Sequence, residues 1–199
     1  MMIPPSSSDI ELLRQLRAGT AAAFDTLYRR HQGPLFRFAV LRCGSAETAA
    51  DVVQEVFMGL LTGSFKFDPL RGLLQNFLFG VARNLVMRHD PPHQRFAALP
   101  EPDQEDADGA PCADDDSASD AAEPLSRLLH HEQAEQVRRA LALLPPHYRD
   151  VVILYEMHDL SYLEIADVCQ LDIGTVRSRL SRGRAALAKR LGALRPATI

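Results

Sequence analysis

The stretch from Leu160 to Arg190, LSYLEIADVCQLDIGTVRSRLSRGRAALAKR, decides how the rest of the chain is read. Ser161 followed by Glu164 has the spacing of a capping box, in which hydroxyl and carboxylate each satisfy a backbone amide at a helix start. Ile165, Ala166 and Val168 then supply the apolar face of a short helix. A second helix is predicted to open near Asp172 or Gly174, with Ile173, Val176, Leu180 and Leu187 inward at steps of three and four. Two short helices joined by a tight turn, with small Ala166 where they meet, form a helix-turn-helix pattern. The outer side of the second helix carries Thr175, Arg177, Ser178, Ser181 and Arg182, and from Ile173 onward there are seven basic residues and no acidic one. Arginine forks and small hydroxyls suit base edges and phosphates in a major groove.

A net charge of −4 over 199 residues looks wrong for a nucleic-acid binder until it is divided along the chain. Residues 96–126 hold ten carboxylates and no Lys or Arg, which leaves 16 acidic against 22 basic residues elsewhere. From about Arg95 to Pro124, Asp, Glu, Ala, Pro and Ser dominate and no hydrophobic period survives. Such a segment cannot bury enough apolar surface to offset its ordering entropy, so a flexible acidic linker is expected.

Before the linker the pattern is helical throughout. Asp9 is expected to cap a helix through Ile10, Leu13 and Leu16 that Gly19 ends; a second runs from about Ala21 to His31. Gly33-Pro34 is expected to punctuate before a third helix through Phe38 that stops at Gly44. Ser45 caps AETAADVVQEVFMGLLTG, whose stripe of Val52, Val53, Val56, Phe57 and Leu60 opposes Asp51, Gln54 and Glu55. A loop, Phe65 to Gly72, precedes a long helix with Phe77, Leu78, Val81, Ala82 and Leu85 inward and Arg83, Asn84 and Arg88 elsewhere. Beyond the linker, helices are predicted over Leu125–Leu144 and His147–Met157, separated by Pro145-Pro146.

Both halves resemble an extracytoplasmic-function (ECF) sigma factor of the sigma-70 family. LPPHYRDVVILYEMHDLSYLEIADVCQLDIGTVRSRLSRGRAAL is similar to region 4, and AFDTLYRRH, AADVVQEVFMGLL and NFLFGVARNL occur in the order of region 2. The resemblance implies an all-α fold of two small helical domains: residues 1–94 like region 2, 95–124 the acidic disordered linker, and 125–199 like region 4. It implies that Asp51, Gln54 and Glu55 meet the clamp of the largest subunit of core RNA polymerase. Lys66, Arg83, Asn84 and Arg88 would hold the −10 promoter element, with Asn84 at the flipped base. Thr175, Arg177, Ser178, Ser181 and Arg182 would read the −35 element. Promoter DNA, polymerase core and an anti-sigma factor are the implied partners, with no cofactor, metal, small-molecule substrate or catalytic residue. Two departures stand out. The family commonly has Trp where this chain has Phe77, and Gln170 occupies the usual turn glycine. An acidic linker would also compete with DNA for the basic faces.

Two rival classes are weighed against this. An operator-binding helix-turn-helix regulator would have no use for a polymerase-docking helix. A hydrolase or metalloenzyme lacks its signatures: there is no HExxH, GxSxG or GxxxxGK[ST]. His147 and His158 flank one helix and form the best pair for a metal. The three cysteines (Cys43, Cys112, Cys169) are widely spaced without a CxxC, and Cys43 and Cys169 are expected to be buried as small hydrophobes. No apolar run approaches ~18 residues, and MMIPPSSSDI lacks the features of a secretory leader, so cytoplasmic residence is expected.

Overall fold

The computed structural model describes residues 7–89 and 124–194, which form eight α-helices and one 3-10 turn with no strand among the described residues. The all-α expectation holds; the acidic segment, and with it the competition expected of it, lies outside the described residues apart from Pro124. Four helices make the N-terminal unit: α1 (Asp9–Arg17), α2 (Ala21–Cys43), α3 (Ala46–Thr62) and α4 (Leu74–His89). Four make the C-terminal one: α5 (Pro124–Ala142), α6 (Pro146–Glu156), α7 (Tyr162–Cys169) and α8 (Ile173–Leu194).

Two expectations at the N-terminus are corrected. The cap of α1 is Ser8, whose hydroxyl accepts from the Glu11 amide, while Asp9 is the first helical residue and pairs with His31 and Arg30. Both residues can cap, and Asp9 is drawn away by those two partners on α2. Gly33-Pro34 does not interrupt the chain: α2 runs through it for 23 residues. A proline inside a helix forgoes one backbone hydrogen bond. Here Leu27, His31, Leu35, Phe38 and Ala39 are all buried, and that continuous stripe against α1, α3 and α4 outweighs the loss. The other punctuation is as read, with Gly44 and Gly63 in left-handed conformation closing α2 and α3 and the Ser45 hydroxyl capping α3.

The two units share one core. α4 packs on α7, and α2 packs on α5 and α6, so buried side chains run unbroken from Leu12 to Leu180. Phe38, Phe79 and His158 meet at this seam, with the imidazole 4.7 Å from the Phe79 ring and 6.3 Å from that of Phe38. His158 Nε2 is buried with no hydrogen-bond partner.

Burial first, then the nearby Arg37 charge, lowers the His158 pKa from its ordinary 6.5 to about 4, with Asp159 opposing. Between those two values the unfolded chain takes up a proton that the folded one refuses. Stability is therefore full above about pH 6.5 and falls as pH drops toward 4. His31, also lowered chiefly by burial, adds in the same direction. Urea midpoints should decline between pH 7 and 5, and His158→Phe should flatten that decline. An unchanged slope in the variant would remove His158 from the account.

Candidate nucleic-acid interface

The helix-turn-helix is built as its sequence specifies. Ser161 Oγ accepts from the Glu164 amide while Glu164 Oε2 accepts from the Ser161 amide at 2.9 Å. Gln170 takes the left-handed turn position at φ 58°, and its Nε2 donates to the Asp167 carbonyl at 2.9 Å. A side chain in that region costs roughly 1 kcal/mol where glycine costs none, and the local hydrogen bond offsets part of it. Asp172 caps α8 by accepting from the Thr175 amide at 2.9 Å, and the Thr175 hydroxyl donates to the same carboxylate. Thr175 is thus a capping partner first. Val176 and Leu180 are fully buried and Leu187 partly, whereas Ile173, expected inward, is 39% exposed at the first turn.

Arg177, Ser178 and Ser181 lie on the exposed side of α8, with Arg182 half-buried beside them. Arg184 is committed elsewhere: it donates to Glu156 at 2.6 Å and stacks 4.7 Å over the Tyr155 ring, tying α8 to α6. Gly183 makes that approach possible, because a Cβ there would stand 2.7 Å from Val152 Cγ2. Its role was not visible in the helical pattern.

The second basic surface lies on the loop before α4 and on α4 itself. Phe65 anchors the loop: its amide donates to the Gly59 carbonyl at 3.1 Å, and its ring lies where any side chain at position 59 would stand. Asp68 caps the 3-10 turn Pro69–Arg71, leaving Leu70 at its tip 95% exposed. Lys66, Arg71, Asn76, Phe77 and Asn84 line one cleft of about 460 Å³, and the Phe67 and Phe77 rings meet at 5.5 Å on its floor. Lys66 and Asn84 are exposed. The cleft offers amide edges, cations and an aromatic face, which is what an unstacked base and its backbone require. Asp167 of α7 and Gln170 in the turn after it form its far wall.

The remaining two residues expected on this surface are engaged within the chain. Arg83 donates from Nε to Asp150 Oδ2 at 2.8 Å, with only 15% of its side chain exposed, and Arg42 Nε reaches the other oxygen of the same carboxylate. Arg149 completes the seam, donating to the Arg42 carbonyl at 2.7 Å and to the Leu144 carbonyl at 2.8 Å. These donors meet the C-terminal ends of α2 and α5, where carbonyls lack helical partners. Arg88, on the exposed side of α4, pairs with Glu55 at 3.2 Å, as does His89. Sequence separations of 67 to 108 residues hid the Arg42–Asp150–Arg83–Arg149 group from any local pattern. Cys169 is buried beside it, and burial first, then the Asp150 charge, pushes its thiol up to about 12.

On α3, Asp51 and Gln54 are exposed and Glu55 is half-buried. Next to Gln54 an apolar groove of about 610 Å³ opens between α2 and α3, bordered by Tyr28, Phe36, Phe57, Met58 and Leu61. Phe36, Met58 and Leu61 are 39%, 51% and 44% exposed, an unusual clustering of large apolar side chains toward solvent. Among the described residues no three metal-ligating side chains group together, and no helix is long and apolar enough to cross a membrane.

Comparison with known proteins gives two family matches: sigma-70 region 2 over residues 27–89 and sigma-70 region 4 over residues 134–187. The chain is 33% identical over 189 residues to the ECF RNA polymerase sigma factor SigM of Mycobacterium tuberculosis, covering 94% of this chain and 86% of that protein. It is 31% identical over 166 residues to the ECF RNA polymerase sigma factor SigE of Mycolicibacterium smegmatis, covering 81% of this chain and 59% of that one. Among solved structures, CnrH in complex with the cytosolic domain of CnrY is similar with a TM-score of 0.67 and 25% identity, covering 95% of this chain and all of that one.

Proposed function

Because the chain belongs to the extracytoplasmic-function group of sigma-70 family RNA polymerase sigma factors, we propose that its two helical units divide one promoter between them. As a sigma factor it directs core RNA polymerase to promoters and assists their opening. The observation that carries it is the clean separation of three exposed faces: the arginine and hydroxyl face of α8, the loop-and-α4 cleft, and the polar side of α3 beside its apolar groove.

In this reading Arg177, Ser178, Ser181 and Arg182 read the −35 element in the major groove, with Thr175 holding the start of α8. The cleft takes an unstacked base of the −10 strand against Asn84 and Phe77. Phe77 replaces the tryptophan common in the family with a smaller ring, still backed by Phe67. Lys66 and Arg71 meet the strand's phosphates, and Arg88, itself exposed and held by half-buried Glu55 at 3.2 Å, joins them. Core polymerase docks on Asp51, Gln54 and Glu55 and on the adjoining apolar groove. The acidic segment tethers the units, so that each contact raises the effective concentration of the other. The work is recognition and strand separation, without covalent chemistry, in the cytoplasm where polymerase and promoter are. An anti-sigma protein is the expected inhibitor; the similar CnrH was solved with a partner, the cytosolic domain of CnrY.

Run-off transcription with core polymerase on DNA from upstream of the chain's own gene tests the whole reading. Initiation that depends on the chain supports it, and a chain that binds DNA but is not retained by core polymerase would favour an operator-binding regulator. Arg177→Ala should weaken binding at the −35 element by about 1–3 kcal/mol and relax selectivity there. An equal loss on every sequence would reassign Arg177 to a phosphate.

A further inference from the structure

Two large apolar side chains of the loop before α4 are held in water by the loop's own backbone. Leu70, at the tip of the 3-10 turn, is 95% exposed, and Leu73 is 63% exposed. The tip is stiff. Pro69 fixes its own φ, the Leu70 amide donates to Asp68 Oδ1 at 3.0 Å, and the Arg71 amide donates to the Asp68 carbonyl at 3.1 Å. Gly72 then turns the chain at φ 134°, a conformation that residues with a side chain rarely adopt. On either side of the tip, Phe67 and Leu74 are buried and anchor the loop. The core therefore takes the flanking residues and leaves both leucines outside.

Taking the assignment of the adjoining cleft to the −10 strand as its premise, we propose that Leu70 and Leu73 are an apolar wedge that enters the base stack beside the extruded base and holds it apart. Leu73 lines the rim of the cleft and Leu70 stands beyond it, which places the pair next to the position of that base. Withdrawing one base from a stack leaves apolar faces without a neighbour. A branched apolar side chain covers those faces and loses its own contact with water in the same step. The charges around the tip select this occupant over an apolar protein surface. Lys66 and Arg71 are both exposed beside the leucines, as the phosphates on either side of a base step require. The loop's one carboxylate, Asp68, is turned onto the backbone of the 3-10 turn. No aromatic side chain takes the place of the leucines: Phe77 lies on the cleft floor against Phe67, and the chain holds no Trp. The cleft thus acts on the base that leaves the stack, and the wedge acts on the bases that stay.

The test uses the full chain with core polymerase on two templates: duplex DNA from upstream of its own gene, and the same DNA with a non-complementary, already open −10 segment. Leu70→Ser/Leu73→Ser alters two exposed side chains, and circular dichroism checks that the helices remain. Should the double variant lose helical signal, Leu70→Ser alone decides by the same criteria. The serine variant should lower run-off from the duplex about tenfold, and the permanganate reactivity of its unpaired thymines with it, while run-off from the open template stays within about twofold. Leu70→Met/Leu73→Met keeps the apolar bulk and should restore most of the duplex activity. Full opening of the duplex by the serine variant overturns the wedge. So does an equal loss on both templates or weaker retention by core polymerase, which would make the leucines a strand or polymerase contact. Methionines that restore nothing overturn it as well, because bulk and apolarity would then not be what the tip supplies. Lys66→Ala/Arg71→Ala tests the premise separately and should lower initiation on both templates. No loss on either would end the assignment of the cleft to the −10 strand, whatever the leucine variants do.

Discussion

Phe79→Ala is expected to lower the free energy of unfolding by about 3–5 kcal/mol, the range for deleting a fully enclosed phenyl ring. Phe79 has no exposed surface, and its ring is held at 5.5 Å from Phe38 and 4.7 Å from His158. The void would open where α2, α4 and the turn after α6 meet, a place none of the three can vacate without pulling the two units apart. Urea titration followed by circular dichroism measures the loss. A change below about 1 kcal/mol would mean that the seam yields freely and that Phe79 does not lock it. The ring two residues earlier should behave in the opposite way. Phe77 is half-buried against Phe67 on the cleft floor, so Phe77→Ala should cost little stability and a large share of −10 strand binding.

Met58→Asp should reduce affinity for core polymerase by about a hundredfold, or about 2.7 kcal/mol, while leaving the melting of the free chain nearly unchanged. Met58 is 51% exposed in the free chain, so a carboxylate there meets water and costs the fold little. Once a partner covers the α2–α3 groove, the same carboxylate is stripped of water without a cation beside it. Gln54→Ala, at the polar edge of the groove, should cost less. Affinity would be read by surface immobilisation of core enzyme, and undiminished binding by Met58→Asp would move the docking surface off this groove. The groove itself could not be found in the sequence. Phe36 and Met58 look like ordinary members of helical stripes, and only the crossing of α2 over α3 leaves them on the solvent side.

What the chain declares locally, it declares well. The Ser161–Glu164 box, the Ser45 cap, the glycines at 44 and 63 and the apolar period of α3 all depend on neighbours within four residues, and all are found. The exposed arginine and hydroxyl face of α8 follows from the same arithmetic, since Val176 and Leu180 fix which side is inside. The errors share one origin. Pro34 is a local breaker overruled by packing along a 23-residue helix, and Asp9 is a local cap recruited by His31 and Arg30 across the α1–α2 contact.

Helical periodicity by itself determined the elements, their order and the basic recognition surface, because those are written at separations of three and four residues. Only the tertiary structure decided that Arg83 faces a carboxylate 67 residues away and that the cleft beside α4 has a wall from α7. A buried charge must find its partner wherever the fold brings one, and no spacing along the chain records that meeting.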